Sequence, residues 1–475
     1  MTINKKTIQI LSFAMVLLYL VLLGWWFGYN PYNSLSTNNP GSDGRPDSII
    51  RSADDVRIGE FFMQYEDPSV ISGDFKGSWP RFRGPDTKNA VQTVSPLNVP
   101  ESFDILWQFE TGEGHAAPAI HNGRVYVLDY DETLRADALR CFSLETGKEL
   151  WRRWYRVALK RNHGFSRTVP FVNDDYIITI GPQGHIMCCD PVSGEMKWSL
   201  DAVKQYNTEV PLWYTGQCPM VENDILVLAT GGDAILAGID CKTGEELWRT
   251  PNTDEYKMSH SSVMSMTLSG KRTYIYAADG AMCGISAEPA DMGRLLWKTS
   301  EFKPNVIAPS PLQLSPTKVF LTAGYGSGGA LLEVNGSGNN LSAKITLKYR
   351  PREGACSEQQ TPVIYNNMII TVLPKDGGGN RDRLVCYPLD NLKNPVWVSP
   401  ADEKFGYGPY MIINDMLYIL KDDGELYVYQ IGRNEMILKK RQRILDGIDA
   451  WGPLAYADGK LILRDAHNVI CLKLM

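Results

Sequence analysis

The sequence lacks the hallmarks of several common protein classes. Its 48 lysines and arginines do not outnumber its 54 aspartates and glutamates, so the formal charge of −6 leaves no basic surplus for nucleic acid. Beyond its N-terminal segment it has no apolar run long enough to cross a bilayer, which excludes a polytopic membrane protein. Its nine cysteines are spread over 475 residues without a Cys-x-x-Cys-His motif. A small disulfide-stapled fold and a covalently attached haem are therefore not expected.

Residues 1–29 carry a membrane signal. Lys5 and Lys6 precede an apolar run from Ile8 to Phe27, and its 20 residues match a hydrocarbon core of about 30 Å. The residues after the run are too bulky for a small-x-small processing site, and no cysteine precedes Cys141 for lipid attachment. We expect an uncleaved single-pass anchor, with a cleaved signal peptide as the alternative. The lysine pair predicts a cytoplasmic N-terminus and a periplasmic or other extracytoplasmic location for the rest.

Residues 30–78 are predicted to connect this anchor to the main body. Residues 30–47 are rich in Asn, Ser, Pro and Gly, a composition typical of a flexible tether. Residues 48–78 have a mixed composition. They are either a partly ordered lead-in to the main domain or a continuation of the disordered linker.

A short phrase ending in tryptophan is repeated along the chain. It reads LETGKELW at 144–151, PVSGEMKW at 191–198 and CKTGEELW at 241–248, with a looser version at 292–297. In each case the tryptophan follows the glycine by four residues. Successive tryptophans lie 44 to 50 residues apart, and the last follows two repeat lengths later; they are Trp107, Trp151, Trp198, Trp248, Trp297 and Trp397. An internal repeat of this length indicates a repeat architecture.

The stretches between the tryptophans predict about four antiparallel strands per repeat, because apolar residues alternate with period two and turn residues separate them. Four-stranded units of this length form a β-propeller. Each inner strand begins after a Pro or Ser position, and these are Pro118, Pro170, Pro219, Ser259–Val263, Pro311, Pro362, Pro409 and Pro453. The count predicts an all-β, eight-bladed propeller over 79–475. The last repeat lacks its tryptophan strand, so residues 103–110 are expected to close the ring.

At this point the repeat resembles a known family. Thr-Gly-x-x-x-Trp is similar to the tryptophan-docking repeat of pyrroloquinoline-quinone (PQQ) propellers, and the resemblance covers residues 79–475. The segment WPRFRGPD at 79–86 is similar to the Trp-Pro-x-x-Arg-Gly-Pro lead-in of many secreted bacterial members. The family includes quinoprotein alcohol dehydrogenases and the non-enzymatic propeller of the outer-membrane β-barrel assembly machinery. The resemblance therefore implies the fold and leaves the activity open.

The tryptophans of the repeat and most cysteines are interpreted as structural. Each outer-strand tryptophan is expected to dock on the neighbouring blade and bury about 150–250 Å². Cys188 precedes Gly194 by six residues, as Cys141 precedes Gly147, which predicts a small buried residue there. The pair Cys188–Cys189 is therefore not expected to be the vicinal pair that dehydrogenases of the family carry beside the cofactor. Further cysteines expected in this column are Cys283, Cys386 and Cys471.

One glycine motif resembles a dinucleotide fingerprint without its context. Gly324, Gly326 and Gly329 have the G-x-G-x-x-G spacing, but the residues that follow predict a strand rather than a helix. A pyrophosphate needs the N-terminus of that helix. We therefore predict a hairpin loop.

The candidate binding residues lie just before the inner strands, where they would rim the central channel. They are His115, His163, Arg167, Trp213, Gln217, His260, Glu358, Gln359, Tyr407, Asp449 and Trp451. Imidazoles, carboxylates, an arginine and aromatic faces could together hold a metal, a quinone or a sugar. The alternative is an ordinary wet channel mouth. No metal is assigned, because the spacing does not define a ligand set.

Three functional hypotheses remain. The first is a membrane-tethered, monomeric, extracytoplasmic propeller that binds a protein or glycan without catalysis. The second follows from the resemblance and is a dehydrogenase of alcohols or sugars with PQQ and Ca²⁺ in the channel. The third is a hydrolase or lyase that uses the rim histidines and carboxylates, although no spacing supports it. The first hypothesis is favoured, because the motifs of the dehydrogenases cannot be matched residue by residue.

Overall fold

The computed structural model describes residues 4–29, 56–71, 75–93 and 99–474. They fall into two compact units, divided after Ala53, and each unit is described by itself. The predicted tether at 30–47 lies outside the described residues.

The first unit contains one helix, α1, Lys5–Gly28. The Asn4 side chain caps its start by accepting a hydrogen bond from Lys6 N at 3.2 Å. Its 24 residues rise about 36 Å, enough to cross a bilayer. Among the described residues it is the one helix long and apolar enough to do so. It fits either a single-pass anchor or a signal sequence, the two alternatives drawn from the sequence.

Nearly all regular elements of the second unit are strands. Three strands precede the first blade: β1 Phe61–Gln64, β2 Ala90–Val91 and β3 Asp104–Glu110. Blade one contains β4 Ala119–His121, β5 Arg124–Asp131, β6 Ala136–Ser143 and β7 Glu149–Arg156. Blade two contains β8 Phe171–Val172, β9 Ile177–Ile180, β10 His185–Cys189 and β11 Met196–Asp201, followed by the short helix α2 Ala202–Tyr206. Blade three contains β12 Met220–Glu222, β13 Ile225–Gly231, β14 Ala234–Asp240 and β15 Glu246–Pro251. Blade four contains β16 Met264–Leu268, β17 Lys271–Ala278, β18 Ala281–Ser286 and β19 Leu295–Thr299.

The remaining blades follow the same order. Blade five contains β20 Leu312–Gln313, β21 Lys318–Ala323, β22 Gly328–Ser337 and β23 Asn340–Tyr349. Blade six contains β24 Val363–Tyr365, β25 Met368–Val372, β26 Leu384–Pro388 and β27 Trp397–Val398, with 3₁₀ turns at Pro351–Glu353 and Gly378–Asn380. Blade seven contains β28 Tyr410–Ile413, β29 Met416–Leu420, β30 Glu425–Ile431 and β31 Met436–Arg443. Blade eight contains β32 Ala455–Ala457, β33 Lys460–Arg464 and β34 Asn468–Lys473.

The sheet topology confirms the predicted eight-bladed propeller. Consecutive strands of each blade are hydrogen-bonded neighbours. In blade eight the outer position belongs to β3, which pairs antiparallel with β34 and places Trp107 opposite Cys471. The expected closure by residues 103–110 is thus confirmed. Two short strands extend other blades, because β1 pairs with β7 and β2 pairs in parallel with β28.

Local sequence explains both the turns and the burial of the blades. Asn122 and Gly123 join β4 to β5 with φ of 44° and 71°, the positive values that a tight Asn-Gly hairpin requires. Strand β5 is buried on both faces except at its end, because each sheet packs between two neighbouring sheets. Gly324 and Gly326 lie in the hairpin between β21 and β22, as predicted. A strand follows this loop, so no helix N-terminus is present there to bind a pyrophosphate.

The repeated phrase forms the joint between neighbouring blades. Gly147 has φ of +68°, and a Cβ built there would lie 2.6 Å from the Trp107 ring of the preceding blade. Trp107 Nε1 also donates to Leu144 O at 2.9 Å. The same glycine-on-tryptophan contact joins Gly194 to Trp151, Gly244 to Trp198 and Gly293 to Trp248. Trp397 instead makes an edge contact with Tyr429 of the next blade, with ring centres 5.8 Å apart.

The nine cysteines are all free and buried. Four of them lie directly opposite the outer-strand tryptophan of their blade, at Cys141, Cys188, Cys386 and Cys471. The expected position of Cys283 was wrong by one residue, since Trp297 opposes Gly284 and Cys283 opposes Lys298. The turn of blade four is longer, so counting back six residues from Gly293 does not reach the residue that opposes Trp297. A Cβ on Gly284 would lie 2.1 Å from the Trp297 ring, which explains the glycine there.

Candidate functional site

The segments that lead into the inner strands meet at one mouth of the central channel. They line a cavity of about 510 Å³, termed the cup. Ten of the eleven residues singled out from the sequence line it: His115, His163, Arg167, Trp213, His260, Glu358, Gln359, Tyr407, Asp449 and Trp451. These residues come from seven different blades, so only closure of the ring brings them together.

Gln217 is the predicted rim residue that does not line the cup. Its neighbours Gly216 and Cys218 do, and alternation along the extended chain turns the Gln217 side chain the other way. The side chain is buried, and its amide bonds both backbone groups of Ala229, at 2.6 Å to the carbonyl and 3.0 Å from the N–H. Gln217 therefore stabilises blade three rather than presenting a group to the channel.

The lead-in segment 79–91 crosses the other end of the channel. Trp79 pairs with Ile120 of blade one, and Arg81 Nη1 donates to Val221 O of blade three at 2.9 Å. Arg83 Nη1 and Nη2 donate to backbone carbonyls of blade six at 2.8 and 3.0 Å. The crossing places Phe82 at the base of the cup. The lead-in phrase thus closes the cup on one side, leaving the rim as its opening.

Two histidines in the wall are held neutral. Burial and then the nearby guanidinium groups of Arg167 and Arg464 lower the pKa of His115 to about 3. Burial and then Arg167 lower the pKa of His260 to about 4. His115 Nε2 donates to His163 O at 3.1 Å, and its ring stacks on Trp451 with centres 4.7 Å apart. Neither ring carries charge at neutral pH.

Arg167 supplies a partly buried positive charge in the wall of the cup. Its Nη2 donates to three backbone carbonyls of the preceding loop, at 3.1 to 3.3 Å. Burial lowers its pKa to about 10, so it stays protonated at neutral pH. Among the described residues no carboxylate forms an ion pair with it.

The opposite side of the cup is acidic. Burial raises the pKa of Glu358, whose Oε1 accepts a hydrogen bond from the Tyr407 hydroxyl at 2.9 Å. Burial also raises the pKa of Asp449. Lys375 Nζ lies 4.6 Å from the centre of the Tyr407 ring and is the cation on this side. The cup is therefore polarised, with arginine on one wall and carboxyl groups on the other.

Aromatic rings complete the walls. Trp213 and Tyr325 stack with ring centres 5.9 Å apart and planes within 9° of parallel. Trp451 meets Tyr407 edge to face at 5.2 Å. The indole nitrogens of Trp213 and Trp451 are buried without an acceptor among the described residues. The flat apolar faces of these rings are available to a ligand.

The described residues offer no preformed metal centre, because no group of three or more His, Cys, Asp and Glu side chains could hold an ion. Cys188 and Cys189 lie in strand β10 and pack into two different hydrophobic clusters. They do not line the cup. A calcium-assisted quinone centre with an adjacent cysteine pair does not fit these residues.

Eleven lining residues were not predicted from the sequence, and four of them have large polar or aromatic side chains. Tyr325 and Lys375 lie in hairpin loops of blades five and six, away from the inner-strand starts that guided the prediction. Phe82 comes from the lead-in phrase, and Gln360 follows the two predicted residues of blade six. Of these four residues, only Gln360 could have been inferred from its neighbours, because it directly follows the predicted residues Glu358 and Gln359.

Comparison with known proteins places this geometry among related folds. Residues 136–299 match the sequence model of a family described as outer membrane protein assembly factor BamB. No curated protein matches the chain. BamB from Moraxella catarrhalis is 11% identical over 78% of this chain and 100% of its own, with a TM-score of 0.52.

Two further solved structures show the same architecture. Quinohemoprotein alcohol dehydrogenase from Comamonas testosteroni is 10% identical over 84% of this chain and 80% of its own, with a TM-score of 0.55. The computationally designed protein Ika8 is 11% identical over 77% of this chain and 98% of its own, with a TM-score of 0.50. At these identities the likeness concerns the fold alone. Together with the family match, it confirms the predicted resemblance to PQQ-like propellers.

Proposed function

We propose, from the premise that the chain is a PQQ-like eight-bladed β-propeller, that it is a binding protein without catalytic activity whose ligand enters the cup. The observation that carries this proposal is the protonation state of two imidazoles and one thiol in the wall of the cup. The pKa values of His115 and His260 are about 3 and 4, and burial raises that of Cys218 to about 11. A general acid or base works best with a pKa near the operating pH. These groups suit recognition better than proton transfer.

The proposed location of this binding protein rests on α1. As a single-pass anchor with Lys5 and Lys6 on the cytoplasmic side, it would hold the propeller in the extracytoplasmic space. The similarity to BamB, an outer membrane protein assembly factor by its description, supports an interaction role in that compartment. The ligand of the cup would then be a protein or a glycan that reaches the membrane surface.

A PQQ-dependent dehydrogenase is the second candidate. The similarity to quinohemoprotein alcohol dehydrogenase and the combination of Arg167 with aromatic walls favour it. The lack of a preformed calcium site among the described residues and the position of Cys188 and Cys189 weigh against it. A hydrolase or lyase that uses the rim histidines and carboxylates is weaker still, because no residue spacing supports it and the pKa values of His115 and His260 are about 3 and 4.

The test uses the full chain in detergent micelles. Arrays of glycans and peptides are screened, and the hits are followed by intrinsic tryptophan fluorescence. The proposal predicts saturable binding that Trp213→Leu weakens at least tenfold, because this indole forms part of the cup wall. The matched control is Trp154→Leu, since Trp154 lies on the outer strand β7 and stacks on Phe61. This control is expected to bind as the wild type does.

A parallel titration addresses the second candidate. The same chain is titrated with PQQ and Ca²⁺, and dye reduction is measured with a panel of alcohols and aldoses. A ligand at 100 times its Kd adds about 2.7 kcal/mol of stability, which a melting curve resolves. Saturable stabilisation by PQQ together with substrate-dependent dye reduction would contradict the binding proposal in favour of the dehydrogenase.

A further inference from the structure

Arg167, which is partly buried, is hydrogen-bonded differently from two fully buried arginines of the propeller. Arg83 and Arg464 each use Nε, Nη1 and Nη2 as donors to protein oxygens. Arg167 uses Nη2 alone, and its Nε is buried without an acceptor. Among the described residues its Nη1 also has no acceptor. Arg167 Nε and Nη1 are therefore left without partners in the described part of the protein, and they lie on different edges of the guanidinium.

The charge of Arg167 is equally uncompensated. Its pKa of about 10 keeps it protonated at neutral pH, and it forms no ion pair with a described carboxylate. A partly buried cation without a partner is unfavourable, and an anion that enters the cup relieves that cost. Nη1 is the unpartnered nitrogen of Arg167 that the protein does not enclose, and it can donate a charge-assisted hydrogen bond to a carboxylate oxygen. The wall around Arg167 is thus suited to a carboxylate group.

The wall of the cup opposite Arg167 carries carboxyl groups and therefore contacts a different part of the ligand. Arg167 leads into blade two and Glu358 into blade six, which places them on opposite sides of an eight-bladed ring. Glu358 accepts from Tyr407, and Asp449 adds a second carboxyl group nearby on the rim. These groups accept hydrogen bonds from hydroxyls and repel a second anion. The ligand is therefore anionic at one end and hydroxylated at the other.

Aromatic faces lie between the two ends. Trp213 and Tyr325 form a stacked pair on one side, and Trp451 stacks on His115 on the other. The C–H face of a sugar ring packs on such surfaces, while its hydroxyls reach the polar wall. Three docking tryptophans outside the cup also have a buried indole N–H without an acceptor among the described residues, as Trp213 and Trp451 do. An unpartnered indole N–H is therefore not specific to the cup, and Arg167 is the residue that indicates the ligand.

We propose that the cup binds a carboxylated sugar, such as a uronic acid residue of a glycan. Its carboxylate accepts a hydrogen bond from Arg167 Nη1, its ring packs against Trp213, and its hydroxyls donate to Glu358. This assignment rests on the proposed function and narrows it to one class of ligand. The volume of about 510 Å³ lies within the usual range for a small-ligand site.

The experiment compares two probes of the same shape. The full chain in detergent is titrated calorimetrically with a galacturonic acid trisaccharide and with its fully methyl-esterified form. The wild type is expected to bind the acid at least tenfold more tightly than the ester. Arg167→Gln is expected to bind both probes with similar affinity, while Arg167→Lys keeps part of the preference. The matched control Arg441→Gln, on the exposed outer strand β31, is expected to keep all of it.

A second variant keeps the test decisive if Arg167→Gln does not fold. Glu358→Gln is expected to weaken the acid and the ester by the same factor, because it contacts hydroxyls that both probes carry. Equal binding of acid and ester by the wild type, or a preference that survives in folded Arg167→Gln, would overturn the assignment. Saturable binding of neutral glycans or peptides in place of the acid overturns it and leaves the proposed function standing. Dye reduction with PQQ and Ca²⁺ overturns both.

Discussion

At the scale of single residues, Asp137 is a second ionisable group whose environment has a measurable consequence. Its side chain is fully buried between blades one and two and accepts hydrogen bonds from the hydroxyls of Tyr155 at 2.8 Å and Ser166 at 3.2 Å. Burial raises its pKa from 3.8 to about 7. No arginine or lysine pairs with it among the described residues. The carboxyl group is therefore stable in the fold mainly in its protonated form.

This shift predicts a loss of stability as the pH rises. Between pH 3.8 and about 7 the folded state holds one more proton than the unfolded state at this site, so the free energy of unfolding falls with increasing pH. Asp137→Asn keeps a hydrogen-bonding amide and removes the titration. We expect the variant to match the wild type near pH 4 and to exceed its stability at pH 8, measured by urea unfolding. A stability difference that is the same at both pH values would contradict the assignment.

The charge state of Arg167 belongs to the same scale and could not be inferred from the chain alone. Its residue type and its position relative to Pro170 predicted a rim position, and Arg167 lines the cup. Whether a rim arginine is paired with a carboxylate depends on the side chains of other blades. The unpartnered nitrogens of Arg167 are visible only after those side chains are placed.

At the scale of the structural element, the joint between blades explains the repeated phrase. The glycine of each Thr-Gly or Ser-Gly turn adopts a positive φ and also lies flat against a tryptophan of the preceding blade. Two separate requirements, backbone conformation and space, therefore select glycine. They can be separated by comparing two glycines.

Gly147→Ala is predicted to be more destabilising than Gly338→Ala. Both positions have positive φ, +68° and +56°, so both variants incur a backbone cost of about 1–2 kcal/mol. A Cβ at Gly147 would in addition lie 2.6 Å from Trp107, whereas nothing lies within 4 Å at Gly338. Overpacking typically costs a further 1–3 kcal/mol. The midpoints of chemical denaturation measure the difference, and equal midpoints would mean that the docking contact carries no stability.

Elements also show where sequence counting fails. The tryptophan-to-glycine spacing predicts register correctly wherever the turn has its common length, as at Cys188 and Trp198. Blade four has a longer turn, and the residue opposite Trp297 is Gly284 rather than Cys283. Because the pleat has period two, an error of one residue moves a side chain to the other face of the sheet.

At the scale of the whole molecule, the ring depends on its closing strand. Strand β3 lies near the start of the propeller sequence and pairs with β34 near its end. Without β3, the edge of β34 in blade eight would be exposed. Strand β1, by contrast, adds a fifth strand to a blade that is already complete. The two strands therefore differ in what their loss exposes.

Proline substitution tests this difference. Gln108→Pro in β3 is expected to lower stability by at least about 1–3 kcal/mol and to promote association between molecules, because ladder hydrogen bonds are lost and an edge opens. Met63→Pro in β1 is the control, and the side chains of both residues are exposed, so packing changes little. Light scattering and thermal unfolding of the full chain measure both effects. Equal losses of stability and equal association in the two variants would mean that β3 has no special role in closing the ring.

The sequence by itself determined the blade count, the order of strands and the closing strand. Those features follow from local spacing, since the alternation of apolar residues and the interval between glycine and tryptophan are properties of short segments. It also located ten of the cup residues, because each blade repeats the same phase relative to its inner strand. Tertiary structure alone decided that Gln217 turns away, that the lead-in phrase forms the base, and that Tyr325 and Lys375 reach the rim. These outcomes depend on contacts between segments that only ring closure brings together, and no local pattern encodes them.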